Sequence, residues 1–144
     1  MIAVDTNLLV YAHRRDSPWF EPARQALHSL VEGTTTWAIP WPCLHEFLAI
    51  STHPSIYRPP TELPRALGQV AALLASPGLI LLSEPTGYWQ VLDRLLAAGR
   101  VTGAKVHDAR IAALCLSHGV SELWSADRDF SRFPELKTRN PLVP

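Results

Sequence analysis

Short apolar runs alternate with longer stretches of helical periodicity along most of the chain. Ile2-Ala3-Val4 is an apolar run that stops at Asp5 and Thr6, and Leu8, Leu9, Tyr11 and Ala12 then recur at helical spacing, which predicts a strand followed by a helix. A second helix is expected from Pro18 to about Val31. Proline stands near its first turn, Ala23, Leu27, Leu30 and Val31 form its apolar face, and Gly33 follows its end. Thr34 to Ile39 is rich in β-branched residues and predicts a strand. Trp41 to Thr52 carries Leu44, Phe47 and Leu48 at helical spacing, and Pro54, Pro59 and Pro60 mark a loop after it. The pattern then predicts a helix over Leu63 to Ala75, a buried strand over Leu79 to Leu82, and a helix over Tyr88 to Ala98 stopped by Gly99. A further helix over Val106 to His118, ended by Gly119, precedes a strand at Glu122 to Trp124 that opens into Ser125 to Phe130.

Strands that alternate with helices call for an α/β fold: a mostly parallel central sheet of four to five strands, covered by helices on both faces as a three-layer α/β/α sandwich. Ligands bind such sheets at the carboxyl ends of the strands. The 144 residues suit one domain spanning 1–144, and 47% apolar with 18% charged residues is enough to build a core and too apolar for disorder. No apolar run approaches the roughly 20 residues needed to span a bilayer, and the start Met-Ile-Ala-Val-Asp has no basic leader, so no membrane association and a cytoplasmic location are expected. Cys43 and Cys115 lie in apolar stretches without CxxC spacing and read as buried reduced thiols with no functional message. Thirteen basic and thirteen acidic residues cancel, so the overall basic bias of many nucleic-acid binders is absent. Where the charges gather matters more than their sum.

Acids stand where this architecture builds its sites. Asp5 directly follows the first strand, Asp127 and Asp129 follow the strand at Glu122 to Trp124, Asp108 is early in a helix, and Glu46 interrupts an otherwise apolar helix. Carboxylates brought within about 4 Å repel by about 4 kcal/mol at an effective dielectric of 20, which a hard divalent cation offsets. Mg²⁺ suits such a site, with Mn²⁺ as a substitute. A cation held there activates water and stabilises charge on a phosphate, which is phosphodiester hydrolysis without a nucleophilic side chain. Each acid also has a local explanation: Asp5 as a helix N-cap, Asp108 as a favourable charge at a helix start, Asp127 or Asp129 as an Asx turn. Their joint placement is what points to chemistry.

The segment Ile2-Ala3-Val4-Asp5-Thr6-Asn7-Leu8-Leu9-Val10-Tyr11-Ala12 resembles the opening of PIN domains, with Asp5 matching the first acid of the family and Asn7 its polar neighbour. Pro42-Cys43-Leu44-His45-Glu46-Phe47 resembles the segment with the second acid, His107-Asp108-Ala109-Arg110 the third, and Leu123-Trp124-Ser125-Ala126-Asp127-Arg128-Asp129-Phe130 the fourth. The motifs keep the family order and span nearly the whole chain. Ser125 stands where threonine is more usual and keeps the hydroxyl. Either Asp127 or Asp129 completes the site, with Asp127 favoured. Length and organisation resemble VapC-type toxins, which implies a PIN-like sandwich, a Mg²⁺-dependent endoribonuclease that cleaves RNA, a homodimer, and neutralisation by a cognate antitoxin. Within that resemblance Asp5 and Asp108 are the first choice as direct metal ligands. Glu46 and Asp127 then bind through water, hold a second ion or position the nucleophile, and Asn7, Ser125, Asp129 and Arg110 support the site or the substrate.

Arg110, Lys105, Arg128 and Arg132 flank the acidic segments and are either phosphate contacts or solvated surface charge. His45-Glu46 and His107-Asp108 suggest a histidine-rich metal site, but neighbours on a helix point about 100° apart and share an ion with difficulty. Two rival functions stand beside the nuclease. One is a metal-dependent phosphatase with Asp5 as nucleophile, which usually has a second Asp where this chain has Asn7. The other is a non-catalytic RNA-binding or scaffolding module whose acids are structural.

Overall fold

The structure is a computed structural model that describes all 144 residues. Five strands form one sheet: β1 (Ile2–Val4), β2 (Trp37–Pro40), β3 (Leu79–Leu82), β4 (Glu122–Trp124) and β5 (Thr138–Arg139). Six helices connect them: α1 (Thr6–His13), α2 (Phe20–Val31), α3 (Trp41–Ser51), α4 (Leu63–Leu74), α5 (Tyr88–Gly99) and α6 (Val106–Ser117). Every strand pair is parallel, in the order β3-β2-β1-β4-β5. β1 pairs Ile2 with Trp37 of β2 on one side and with Glu122 of β4 on the other. The three-layer α/β/α arrangement expected from the alternation is present, with five strands, all parallel.

Burial explains the runs. Ala3, Val4, Trp37, Ala38, Ile39, Leu82 and Leu123 are fully buried, as a sheet covered on both faces requires. On α3, Cys43, Leu44 and Phe47 face the core, and on α6 Ala109 and Ile111 to Cys115 do. No helix is long and apolar enough to cross a membrane.

Several expected boundaries move, each for a local reason. The second helix begins at Phe20 instead of Pro18, after a turn in which the Phe20 amide donates to the Ser17 carbonyl at 3.1 Å. Strand pairing starts at Trp37, because Thr34 to Thr36 have no partner strand opposite them. Gly99 is inside α5, and the left-handed residue that ends the helix is Arg100, with φ of 50°. Gly99 is small for another reason: a Cβ there would come within 3.0 Å of the Val101 side chain. Gly119 has φ of 69°, as a glycine that terminates α6 should. The short strand β5 and the 3₁₀ turns at Gly103–Lys105 and Arg128–Arg132 have no counterpart in the hydrophobic pattern.

Strand order is what places the site. From β1 the chain builds outward through β2 and β3, then crosses back to lay β4 against the opposite edge of β1. The carboxyl ends of β1 and β4 therefore flank the topological switch point, where open parallel sheets bind ligands.

Candidate active site

Asp5 is the first residue past β1 and continues its pairing with β4, its amide donating to the Trp124 carbonyl at 3.0 Å. It also caps α1, with Oδ1 accepting from the Thr6 amide at 2.8 Å. The capping role and the site role thus coexist in one side chain. Its Oδ2 accepts from the Ser125 hydroxyl at 2.7 Å and from Asn7 Nδ2 at 3.3 Å, and Cys43 Sγ lies 3.5 Å from Oδ1. Both cysteines are free and buried, as expected, but Cys43 does have a place beside the site. Asp5 is only 5% exposed. Burial raises its pKa to about 6, against the lowering by Ser125, the Thr6 amide and Cys43, while the charge of Glu46 raises it further.

Ser125, the first residue past β4, joins the two strand ends. Its hydroxyl donates to Asp5 and accepts from Asn7 Nδ2 at 3.2 Å and from the Asp127 amide at 3.0 Å. Asn7 Oδ1 accepts from the Ala126 amide at 3.2 Å, so both ends of the Asn7 amide hold the β4 loop against α1. Ser125→Ala would leave the Asp127 amide without its partner and Asp5 with one donor fewer. A loss of about 1–3 kcal/mol is expected, read as a lower urea midpoint, whereas Ser125→Thr keeps the hydroxyl and most of the stability.

The remaining acids converge on the same edge. α6 precedes β4 and runs antiparallel to it, so its first turn, with Asp108, returns to the carboxyl end of the sheet. Carboxylate oxygens of Asp108, Asp127 and Asp129 lie within 4.8 Å of one another. Asp127 caps the turn after β4, Oδ1 accepting from the Asp129 amide at 2.8 Å, so its Asx-turn role is also real. Lys105 supplies counter-charge, paired with Asp129 and 4.0 Å from Asp108. Burial raises the Asp108 pKa, and the charges of Asp127 and Glu46 add to the rise. Glu46 accepts from the Thr6 hydroxyl at 3.1 Å and acts electrostatically on both Asp5 and Asp108.

Sequence reasoning puts Asp5 and Asp108 first as direct ligands and leaves Asp129 in support. In the structure Asp108 groups with both Asp127 and Asp129, and Asp5 stands beside them with both its oxygens accepting hydrogen bonds. The tight turn after β4 brings both Asp127 and Asp129 to the side of Asp108. Beside the acids a cleft of about 450 Å³ is lined by Pro42, His45, Glu46, His107, Asp108 and Arg110. The two histidines line the cleft, yet the metal-compatible group is made of aspartates alone. Arg110 reaches Glu84 at 3.5 Å on the rim, and Trp41 stacks on His45 with centroids 6.0 Å apart. Three carboxylates at this spacing are the hard oxygen donors that a small divalent cation takes, so the residues present fit such an ion.

Fold and site together define a parallel α/β domain with an acidic, cation-compatible centre at its switch point. The family model for the PIN domain matches residues 2–136. The ribonuclease VapC43 of Mycobacterium tuberculosis is 34% identical over 142 residues, which cover 99% of this chain and 96% of that one. The chain belongs to the PIN domain family and, within it, to the VapC ribonucleases. Among solved structures, the Mycobacterium tuberculosis toxin VapC20, described as cleaving the sarcin-ricin loop, superimposes with a TM-score of 0.67 at 16% identity, covering 91% of this chain and 93% of that one. A toxin–antitoxin complex from Klebsiella pneumoniae matches with a TM-score of 0.62 at 18% identity, covering 98% of each chain. At these identities the two structures speak for the fold.

Proposed function

We propose that this chain is a divalent-metal-dependent endoribonuclease, the toxin of a toxin–antitoxin pair, in which residues 1–144 work as one domain. It acts in the cytoplasm as a homodimer neutralised by a cognate antitoxin. The observation that carries the reading is the convergence of Asp108, Asp127 and Asp129 at the carboxyl edge of the sheet, backed by Asp5 and Glu46. The membership in the VapC ribonucleases supports RNA as substrate, and the Klebsiella complex supports a protein antitoxin.

In this reading Asp108, Asp127 and Asp129 hold Mg²⁺, or Mn²⁺ in its place, and the ion supplies an activated water and charge stabilisation at the phosphate. Asp5 adds negative charge from the buried side of the site, where Thr6, Asn7 and Ser125 fix its direction. Glu46 faces the cleft and orients the attacking group by accepting a proton or a hydrogen bond. Arg110 stands at the rim to meet a phosphate oxygen. The phosphatase reading loses ground because the position two residues after Asp5 is Asn7, whose amide is consumed in bonds to Asp5, Ser125 and Ala126.

Purified protein is expected to cleave structured RNA with Mg²⁺ or Mn²⁺, to stop in EDTA, and to resume when metal is restored. Asp108→Asn should be at least about 100-fold slower. Equal cleavage by the variant would overturn the assignment of the centre. Binding without cleavage by either protein would move the function to a non-catalytic RNA-binding module.

A further inference from the structure

A second polar cavity lies at the opposite end of α1 from Asp5, about 12 Å along the helix axis. It has a volume of about 280 Å³ and is lined by His13, Arg14, Arg15, Asp16, Thr61 and Arg65, with Pro59 beside them. None of these residues takes part in the acidic centre.

The floor of this cavity is tied together by side-chain hydrogen bonds. Arg14 has a side chain only 11% exposed, donates from Nε and Nη2 to Asp16 at 2.9 and 2.6 Å, and lies over the Tyr57 ring at 4.4 Å. Its Nη1 donates to the Thr61 hydroxyl at 3.2 Å, and His13 Nε2 lies 3.1 Å from the same oxygen. Thr61 is itself buried, and its amide donates to the Ser51 carbonyl at 2.8 Å, which pins the loop to the end of α3. His13 stands edge-on against Phe47. Asp16 is thus committed to Arg14. Arg15 and Arg65, both exposed, have no carboxylate within 4.0 Å. The pKa of His13 is lowered, first by burial and then by the charge of Arg65, with Arg14 adding to it, as expected in a positive field. Three guanidinium groups against one carboxylate, in a protein of zero formal net charge, make this cavity a local excess of positive charge. Guanidinium forks match the oxygens of a phosphate group, and the Thr61 hydroxyl, bonded to Arg14 and His13, fixes the floor beneath them.

We propose that the cavity formed by Arg14, Arg15, Thr61 and Arg65 is a phosphate-binding subsite that holds the RNA backbone away from the cleavage centre. This inference rests on the ribonuclease reading for the identity of its ligand. Arg15 and Arg65 make the contacts, and Arg14 is the positioning residue that keeps the floor in place.

The test is binding of a fluorescent structured RNA in EDTA across a salt series, with wild-type protein, the double variant Arg15→Ala/Arg65→Ala, and Arg24→Ala as a control. Arg24 is an exposed arginine paired with Glu21 outside the cavity. Thermal melts confirm that all three are folded. The double variant should bind roughly 10-fold or more weakly, with a log–log salt slope shallower by about 2, while Arg24→Ala stays near wild type. Affinity and slope equal to wild type in the double variant would overturn the subsite, as would an equal loss in Arg24→Ala, which would mean diffuse surface charge. Cleavage by wild-type protein with Mg²⁺ is measured separately. Cleavage with Arg-independent binding removes the subsite alone, and Arg-dependent binding without cleavage removes the nuclease alone.

Discussion

Asp5→Asn is expected to melt at a higher temperature than the wild-type protein when both are stripped of metal at pH 8, and to cleave RNA about 10-fold to 100-fold more slowly when both are given Mg²⁺. Folding raises the pKa of Asp5 from an ordinary 3.8 to about 6. A carboxyl with a raised folded pKa contributes stability that is fully present below pH 3.8 and is lost as pH rises through about 6. Above that, holding Asp5 ionised costs about 3 kcal/mol relative to a neutral side chain. Asparagine removes the charge and keeps an oxygen for the Thr6 amide. The gain should therefore be several degrees at pH 8 and vanish near pH 4, as calorimetry across that range would report. A variant that is less stable than wild type at pH 8 would show that the hydrogen bonds of the carboxylate outweigh its burial. A variant that is more stable and fully active would remove Asp5 from the chemistry.

Phe47→Ala should lower stability by about 3–5 kcal/mol, visible as a large drop in the urea midpoint with little change in slope. Phe47 is fully buried on α3, beside Glu46 in sequence but on the opposite duty: it fills the core and meets the His13 ring edge-on at 5.3 Å. Against a typical domain stability of about 5–15 kcal/mol this is a large fraction, so cleavage is read at a temperature where circular dichroism shows the variant folded, and it then reports how firmly α3 must be held for Glu46 to work. A loss below about 1 kcal/mol would mean that the cavity collapses without cost and that α3 is not anchored through this side chain.

The elements with dense apolar patterning were readable from sequence, and so was the edge at which the acids gather. β3 and β4 fall at Leu79–Leu82 and Glu122–Trp124 as expected, but β3 is not the buried strand its apolar run predicts: it lies at the edge of the sheet, with Ile80 exposed and only Leu82 buried. β5 was not readable, since Thr138 and Arg139 are both exposed and are a strand only through their backbone pairing with Leu123 and Trp124. The four family acids were recognisable in order along the chain. What spacing could not convey was their relative reach. Asp5 turns inward because Ser125, 120 positions away, takes its Oδ2, and Asp129 joins Asp108 because an Asx turn folds it back over Asp127. The cavity around Thr61 was equally hidden, because its walls come from the end of α1 and the loop after α3. A signal was present in the cluster Arg58, Pro59, Thr61 and Arg65, which places cations around a constrained loop with few acids.

The crossover that lays β4 against β1 also sets the order in which a ribosome can deliver a working enzyme. Synthesis proceeds from the amino terminus, and domains fold as their segments emerge. A nascent chain that ends before residue 122 contains Asp5, Glu46 and Asp108 but neither the strand that seats beside β1 nor Ser125, Asp127 and Asp129. The centre is therefore completed only by the segment from β4 onward, which brings Ser125, Asp127 and Asp129 to the edge where Asp5 and Glu46 stand.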